Sequence, residues 1–389
     1  MEPISDKELE EYRYLFPVTK KYIYMNHAGV APISYRVADS ILLFNQEALR
    51  HGYTEGPRWV KRFEEIREKC GQLINAHADE IAFVKNTSHG ISLVARGLGL
   101  QSGDEVILSE VEFPANVYPW MALEKHGVKI KKIPSVAGEL KLENLKELIT
   151  PQTKVVSLSS VQYGTGYRLP VAQVGEICRG RGIYFFLDAI QSLGAFPADV
   201  REGKVDFLAA DAHKWMLGHE GIGIFYVRKE LLDRVEPVLL GWHSVSDPLN
   251  FEKLHFTLAN SARRFEEGSH NGLSIYGLGG AVELLLEVGV ERIARRILQL
   301  TDRLIEGLKQ LGLPIHNSLD PKFRSGIVMF SLPGDKTGEE LGRLERHLFS
   351  KKIYTSIRCG CIRLSPHFYN SEEEIETVLK EISDFLQGE

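Results

Sequence analysis

The chain has 389 residues, 43% hydrophobic and 25% charged, enough for one large domain and one smaller one around a substantial core. A formal net charge of −5 and a pI near 6.3 remove the electrostatic reason to expect nucleic acid or an anionic membrane as partner. The polar, acidic opening from Met1 to Lys7 and the lack of an apolar run of membrane length make a cytoplasmic location the expectation.

In chain order, the charged pattern over residues 4–14 predicts a short amphipathic helix. Tyr22-Ile23-Tyr24-Met25 then reads as a strand entering the turn Asn26-His27-Ala28-Gly29. That turn is either closed by its own hydrogen bonds or touches substrate. Residues 34–75 carry helical periodicity with a break near 51–57, and Trp59, Phe63, Ile66 and Cys70 recur on what reads as a core face. A strand over 81–84 leads into Lys85-Asn86-Thr87-Ser88-His89-Gly90 and a helix. Hydroxyls and free amides at a helix amino end either cap the helix or hold a phosphate, so Thr87 and Ser88 are candidates for both.

Further strands are expected at 105–108, 128–130 and 155–159, with a helix at 142–149 between the last two. The first of these strands delivers Glu112-Phe113-Pro114, and the last delivers Gln162, Gly164 and Gly166; the glycines lack the pattern of a dinucleotide fingerprint. After a helix at 171–179, the apolar run Ile183-Tyr184-Phe185-Phe186-Leu187 ends abruptly in Asp188. A second run at 207–210 gives way to Asp211-Ala212-His213-Lys214-Trp215. An acid at the exit of a buried parallel strand sits where open α/β sheets bind ligands, and a lysine there is expensive to bury unless neutral or covalently used. The economical reading is pyridoxal phosphate, with Lys214 forming the Schiff base and Asp188 keeping the ring nitrogen protonated.

Leu187-Asp188-Ala189-Ile190-Gln191, Ala212-His213-Lys214-Trp215 and Gly221-Ile222-Gly223-Ile224 together resemble the class V aminotransferase group of fold-type I pyridoxal phosphate enzymes, which includes cysteine desulfurases and isopenicillin N epimerase-like proteins. The resemblance runs from about Tyr22 to about Tyr369. It implies an α/β fold with a mostly parallel seven-stranded sheet, a large domain over residues 21–290, and a small α+β domain from 1–20 and 291–389. It also implies cofactor contacts from Thr87, Ser88, Phe113, Gln162, Asp188, Gln191, His213 and Lys214. Ser269, in Arg264-Phe265-Glu266-Glu267-Gly268-Ser269-His270-Asn271, would reach the phosphate of a neighbouring subunit, so a homodimer is expected. Arg363, in Cys361-Ile362-Arg363-Leu364-Ser365, would grip the substrate's α-carboxylate through a two-pronged hydrogen bond. Asp211 is set apart from the phosphate contacts because a carboxylate there is unfavourable unless paired.

The C-terminal part predicts a long helix to 311, a strand at 325–330, a helix at 338–350, a strand pair and a terminal helix at 372–386. Helices over an antiparallel sheet are the expected second domain. Two departures from the desulfurase branch matter. Phe113 stands where that branch usually has a histidine, and phenylalanine stacks but carries no proton. Cys359 and Cys361 lie in a tight run with Arg363, with no long loop to carry sulfur. Four cysteines at 70, 178, 359 and 361 form neither a disulfide framework nor a metal set, and Cys70 and Cys178 read as core. The reading is an enzyme acting on a small α-amino acid, class V aminotransferase-like. The alternatives are a carbon–sulfur lyase or desulfurase, an epimerase, and a catalytically quiet cofactor-binding protein.

Overall fold

The computed structural model describes residues 2–388. The apolar runs form one seven-stranded sheet: β1 (Ile81–Val84), β2 (Glu105–Ser109), β3 (Lys129–Ile133), β4 (Thr153–Ser159), β5 (Tyr184–Asp188), β6 (Phe207–Asp211) and β7 (Gly223–Val227). Their spatial order is β1-β7-β6-β5-β4-β2-β3, and only β7 runs antiparallel to its neighbours. The inner strands are buried almost throughout because helices cover both faces, which explains their lack of alternation in the sequence. Edge strand β3, KIKKI, is partly exposed and lysine-rich, which keeps that edge from pairing with other chains.

The helix Thr87–Gly97 lies so close on the sheet that a Cβ on Gly90 would come within 2.6 Å of the Ala209 Cβ. Cys70 and Cys178 are buried in the core, as expected.

The C-terminal part forms a three-stranded antiparallel sheet in the order Val328–Phe330, Cys361–Leu364, Ser356–Arg358. The amphipathic helices Val290–Gln310, Glu339–Ser350 and Glu372–Gln387 pack their leucine and isoleucine stripes against it. Ile23–Tyr24 pairs in parallel with Ile353–Tyr354, and Met25 packs in the small sheet's cluster. A two-residue strand carries too little pattern to reveal its partner, so only the long-range pairing assigns it. The N-terminal helix Asp6–Tyr14 starts at a Ser5–Glu8 capping box, and Arg13 ties it to Glu374 at 2.8 Å.

Among the described residues no single helix is long and apolar enough to cross a membrane. None of their His, Cys, Asp and Glu side chains gather in threes as a metal site would need.

Candidate active site

Parallel strands put their carboxyl ends on one edge, and there the register sets Ser159 beside Asp188. The connection from β6 back to antiparallel β7 crosses the same edge and carries His213 and Lys214. Its turn is tight: Leu217 sits at φ +59, a strained conformation for a leucine, and its amide bonds the Lys214 carbonyl at 2.9 Å. The neighbouring Trp215 clamps the turn in place. Its indole donates to Gln191 Oε1 at 2.9 Å, and its carbonyl lies 3.0 Å from His367 Nε2. A Cβ on Gly194 would stand 2.3 Å from that same carbonyl, so this position excludes every larger residue. The lysine's backbone is therefore fixed.

Burial lowers the Lys214 pKa to about 8, with Arg363 adding to the effect and Asp188 and Asp211 opposing it. Asp188, only 1% exposed, is raised to about 7 by burial, against one hydrogen bond from the Ile190 amide at 3.0 Å. An acid and a base that both titrate near neutrality thus stand on one edge. Phe113 presents its ring 5.6 Å from Lys214 Nζ and packs edge-on against Tyr163 at 5.1 Å. No second proton carrier occupies that position.

At the other end of the lysine segment, His213 Nδ1 lies 3.0 Å from Asp211 Oδ1 without hydrogen-bond geometry, so the carboxylate set apart on charge grounds stands beside the expected phosphate contact. The helix Thr87–Gly97 is capped by Asn86, whose side chain accepts from the His89 amide at 2.9 Å. That corrects the capping alternative for Thr87 and Ser88. Thr87 accepts the Asp211 amide at 3.0 Å and keeps its hydroxyl hydrogen to donate, while Ser88 is exposed in the first turn. Gln191 is more committed than expected, bonding Ala28 O at 3.1 Å as well as Trp215. One amide hydrogen is left for a cofactor oxygen. Ser269 is exposed, hydrogen-bonds to none of the described residues, and lines a cleft of about 430 Å³ with Lys85, His89 and Gly221.

Arg363 is 2% exposed on the middle strand of the small sheet. Its contacts, to Asn26 Oδ1 and Tyr163 O, are long at 3.4 Å each, and its Nε is buried with no partner. Burial and the neighbouring Arg358 lower its pKa to about 10. A guanidinium held this way is short of one carboxylate. Asn26 thus belongs to the site through Arg363. His27 does not: it is wholly buried between Ser365 O at 2.8 Å and the Tyr369 hydroxyl at 2.6 Å, and burial lowers its pKa to about 4.

Sequence reasoning gave no role to Glu112. It is buried beside Phe113 and accepts from the Ser159 amide at 2.9 Å, Gln162 Nε2 at 2.8 Å, Asn116 Nδ2 at 3.1 Å and the Ser159 hydroxyl. The one available signal was an acid three residues past the end of a strand. Its partners lie more than forty residues away, Asn116 excepted.

An aromatic cofactor with a basic ring nitrogen, a phenolic oxygen, an aldehyde and a phosphate fits these groups. Asp188 matches the nitrogen, Lys214 the aldehyde, Phe113 the ring face, and Thr87 with His213 the phosphate. The buried Gln162 Oε1 and Arg363 Nε await partners. Fold and site therefore define a fold-type I pyridoxal phosphate enzyme. The aminotransferase class-V family model matches residues 23–378, and the chain belongs to that family. A probable cysteine desulfurase of Pyrococcus abyssi is 29% identical over 97% of this chain and 98% of its own. An uncharacterized aminotransferase of Bacillus subtilis, YcbU, is 30% identical over 96% and 97%. Among solved structures, the cystine C–S lyase C-DES, in complex with its product cysteine persulfide, superposes with a TM-score of 0.88 at 25% identity over 95% of this chain and 99% of that one. The cofactor is pyridoxal 5′-phosphate.

Proposed function

We propose that the enzyme removes the α-proton of a small α-amino acid with Lys214 as the only proton carrier on the Phe113 side, and that amino-group transfer is the outcome. The observation that carries this reading is the pairing of a near-neutral Lys214 with a ring that cannot exchange protons. When bound, pyridoxal phosphate supplies the electron sink that makes the α-proton removable. The chain's own groups divide the remaining work. Asp188 would hold the proton of the ring nitrogen, Thr87, Ser88 and His213 would hold the phosphate, and Arg363 would orient the substrate carboxylate. Lys214 Nζ would take the α-proton and return it one position away, which is what separates transfer from simple racemisation. A homodimer, with Ser269 reaching across to its partner's site, belongs to the same proposal and is supported by the exposed, unbonded state of that serine.

Carbon–sulfur cleavage is the second reading, favoured by the printed names of the desulfurase relative and the cystine lyase neighbour. A panel of amino acids, with keto acid, sulfide and inverted enantiomer measured as products, separates the readings. Keto acid from the donor without ammonia, sulfide or persulfide is the expected result; sulfide from cysteine, or persulfide with pyruvate and ammonia from cystine, at the faster rate would replace it with the second.

A further inference from the structure

A cavity of about 380 Å³ opens between the helix Val171–Arg179 and the segment 196–203, outside the site described above. Leu169, Leu187, Phe196 and Leu208 supply apolar walls. Its inner polar groups are the buried Ser160 and Ser192, whose hydroxyls lie 2.6 Å apart, and Ser160 Oγ also bonds the Asp188 carbonyl at 3.0 Å. Both hydroxyls are thereby satisfied within the protein.

The unsatisfied group is Arg168. Its guanidinium lies over the Phe196 ring at 5.0 Å and bonds only backbone carbonyls, Lys322 O at 3.0 Å and Pro321 O at 3.5 Å. Its Nε is buried with no partner, and among the described residues it forms no ion pair. Burial lowers its pKa, and no neighbouring carboxylate offsets the effect. The two acids on the cavity wall do not supply one. Asp199 accepts from the amides of Arg201 and Glu202 and from Asn75, and Glu202 is exposed. Lys322, an exposed residue, lines the same wall. A partly buried guanidinium whose Nε and Nη1 make no bond, beside an apolar chamber, matches an anion with an apolar body. With few other donors, the chamber suits a planar carboxylate better than a phosphate, whose three oxygens would go unmet.

We propose that this cavity binds a small monocarboxylic acid with an apolar body, its carboxylate paired with Arg168 beside Lys322. The Ser160 hydroxyl bond sets the chamber beside the Asp188 backbone, and Arg363 is not among the residues that line it.

The test uses the cofactor-loaded enzyme, with hexanoate as probe and hexanamide as its uncharged match, followed by calorimetric titration. Hexanoate is expected to bind at least ~10-fold more tightly than hexanamide, with that preference lost in Arg168→Gln. Ala198→Trp, which fills the chamber without touching the guanidinium's contacts, should abolish binding while leaving the spectral response to amino acids unchanged. Because Arg363 could also take a carboxylate, Arg363→Gln is the control and should leave hexanoate binding intact. No binding, equal binding of the amide, binding that survives both cavity variants, or binding lost in Arg363→Gln would each overturn the assignment.

Discussion

The side-chain amide of Gln162 donates to Glu112 Oε1 at 2.8 Å, leaving the Gln162 carbonyl oxygen buried without a donor. The other partners of Glu112 are the Ser159 amide, the Ser159 hydroxyl and the Asn116 amide nitrogen, all donors to the carboxylate. Flipping Gln162 would set oxygen against oxygen. Glu112 therefore fixes which end of Gln162 is free to accept, and burial raises its own pKa against those four bonds.

Glu112→Gln tests that relationship. An amide at 112 must turn its NH₂ toward at least one donor, so a stability loss of about 1–3 kcal/mol is expected. The turnover number should fall ~10-fold with a smaller change in KM, because Gln162 loses its orientation rather than the substrate its carboxylate grip. Thermal unfolding together with steady-state kinetics reads both. Unchanged turnover at reduced stability would make the network purely architectural.

Lys214→Met should eliminate turnover and also change the apoprotein's stability with a definite sign. The folded-state pKa is depressed from 10.5 to about 8, so the unfolded chain binds more protons between those values. Wild-type stability relative to the variant is therefore lost as pH falls from 10.5 through 8, and stays low below that. At pH 7 the methionine apoprotein should be the more stable by roughly 1–3 kcal/mol, and the difference should close above pH 10.5. Denaturant melts at pH 7 and pH 10.5 measure it.

Asp188 gives the opposite dependence. Its folded pKa is raised from 3.8 to about 7, so the folded apoprotein binds more protons in that window. The stability it contributes is complete below pH 3.8 and lost as pH rises through 7, with an upper bound of about 4 kcal/mol. Relative to Asp188→Asn, the wild-type apoprotein should lose melting temperature between pH 4 and 7. Parallel pH profiles would show that the carboxyl titrates normally.

Asp188 and Lys214 were legible in the sequence because buried parallel strands print as apolar runs, and each run ends where a polar residue is affordable only at the ligand edge. Arg363 and Ser269 could be named only through a family pattern, since an arginine on a strand or a serine in a loop has no local signature. Glu112 and the buried His27 escaped for a different reason. Their roles depend on contacts such as Glu112 with Ser159 and His27 with Ser365 and Tyr369, which join distant parts of the chain. The Ile23–Tyr24 pairing with Ile353–Tyr354 was missed on the same grounds.

Arg363→Lys should raise the KM for amino-acid substrates by ~10–100-fold while cofactor affinity stays the same. A lysine cannot present two parallel donors to a carboxylate, and Asn26 and Tyr163 are placed for a fork, not a point charge. Spectral titration with an amino acid reads the first quantity and cofactor titration the second. Equal loss of both would place Arg363 in the cofactor's support instead.

The last prediction concerns sulfur. Ser356–Arg358 turns into Cys361–Leu364 through Cys359 and Gly360 alone, with Cys359 at φ +50. A hairpin tip this short cannot swing a thiol between a buried substrate and an external acceptor. Cys361 is buried, and burial pushes its thiol up to about 11, which keeps it protonated and a poor nucleophile. Cys359 is exposed with Sγ 3.9 Å from the Tyr163 hydroxyl and is anchored on the strained turn. With L-cysteine supplied, the Cys359→Ser, Cys361→Ser double variant should therefore release sulfide and alanine at the wild-type rate. Rapid sulfide release that the double variant abolishes would make one of the two cysteines the sulfur acceptor and put the desulfurase reading ahead of amino-group transfer.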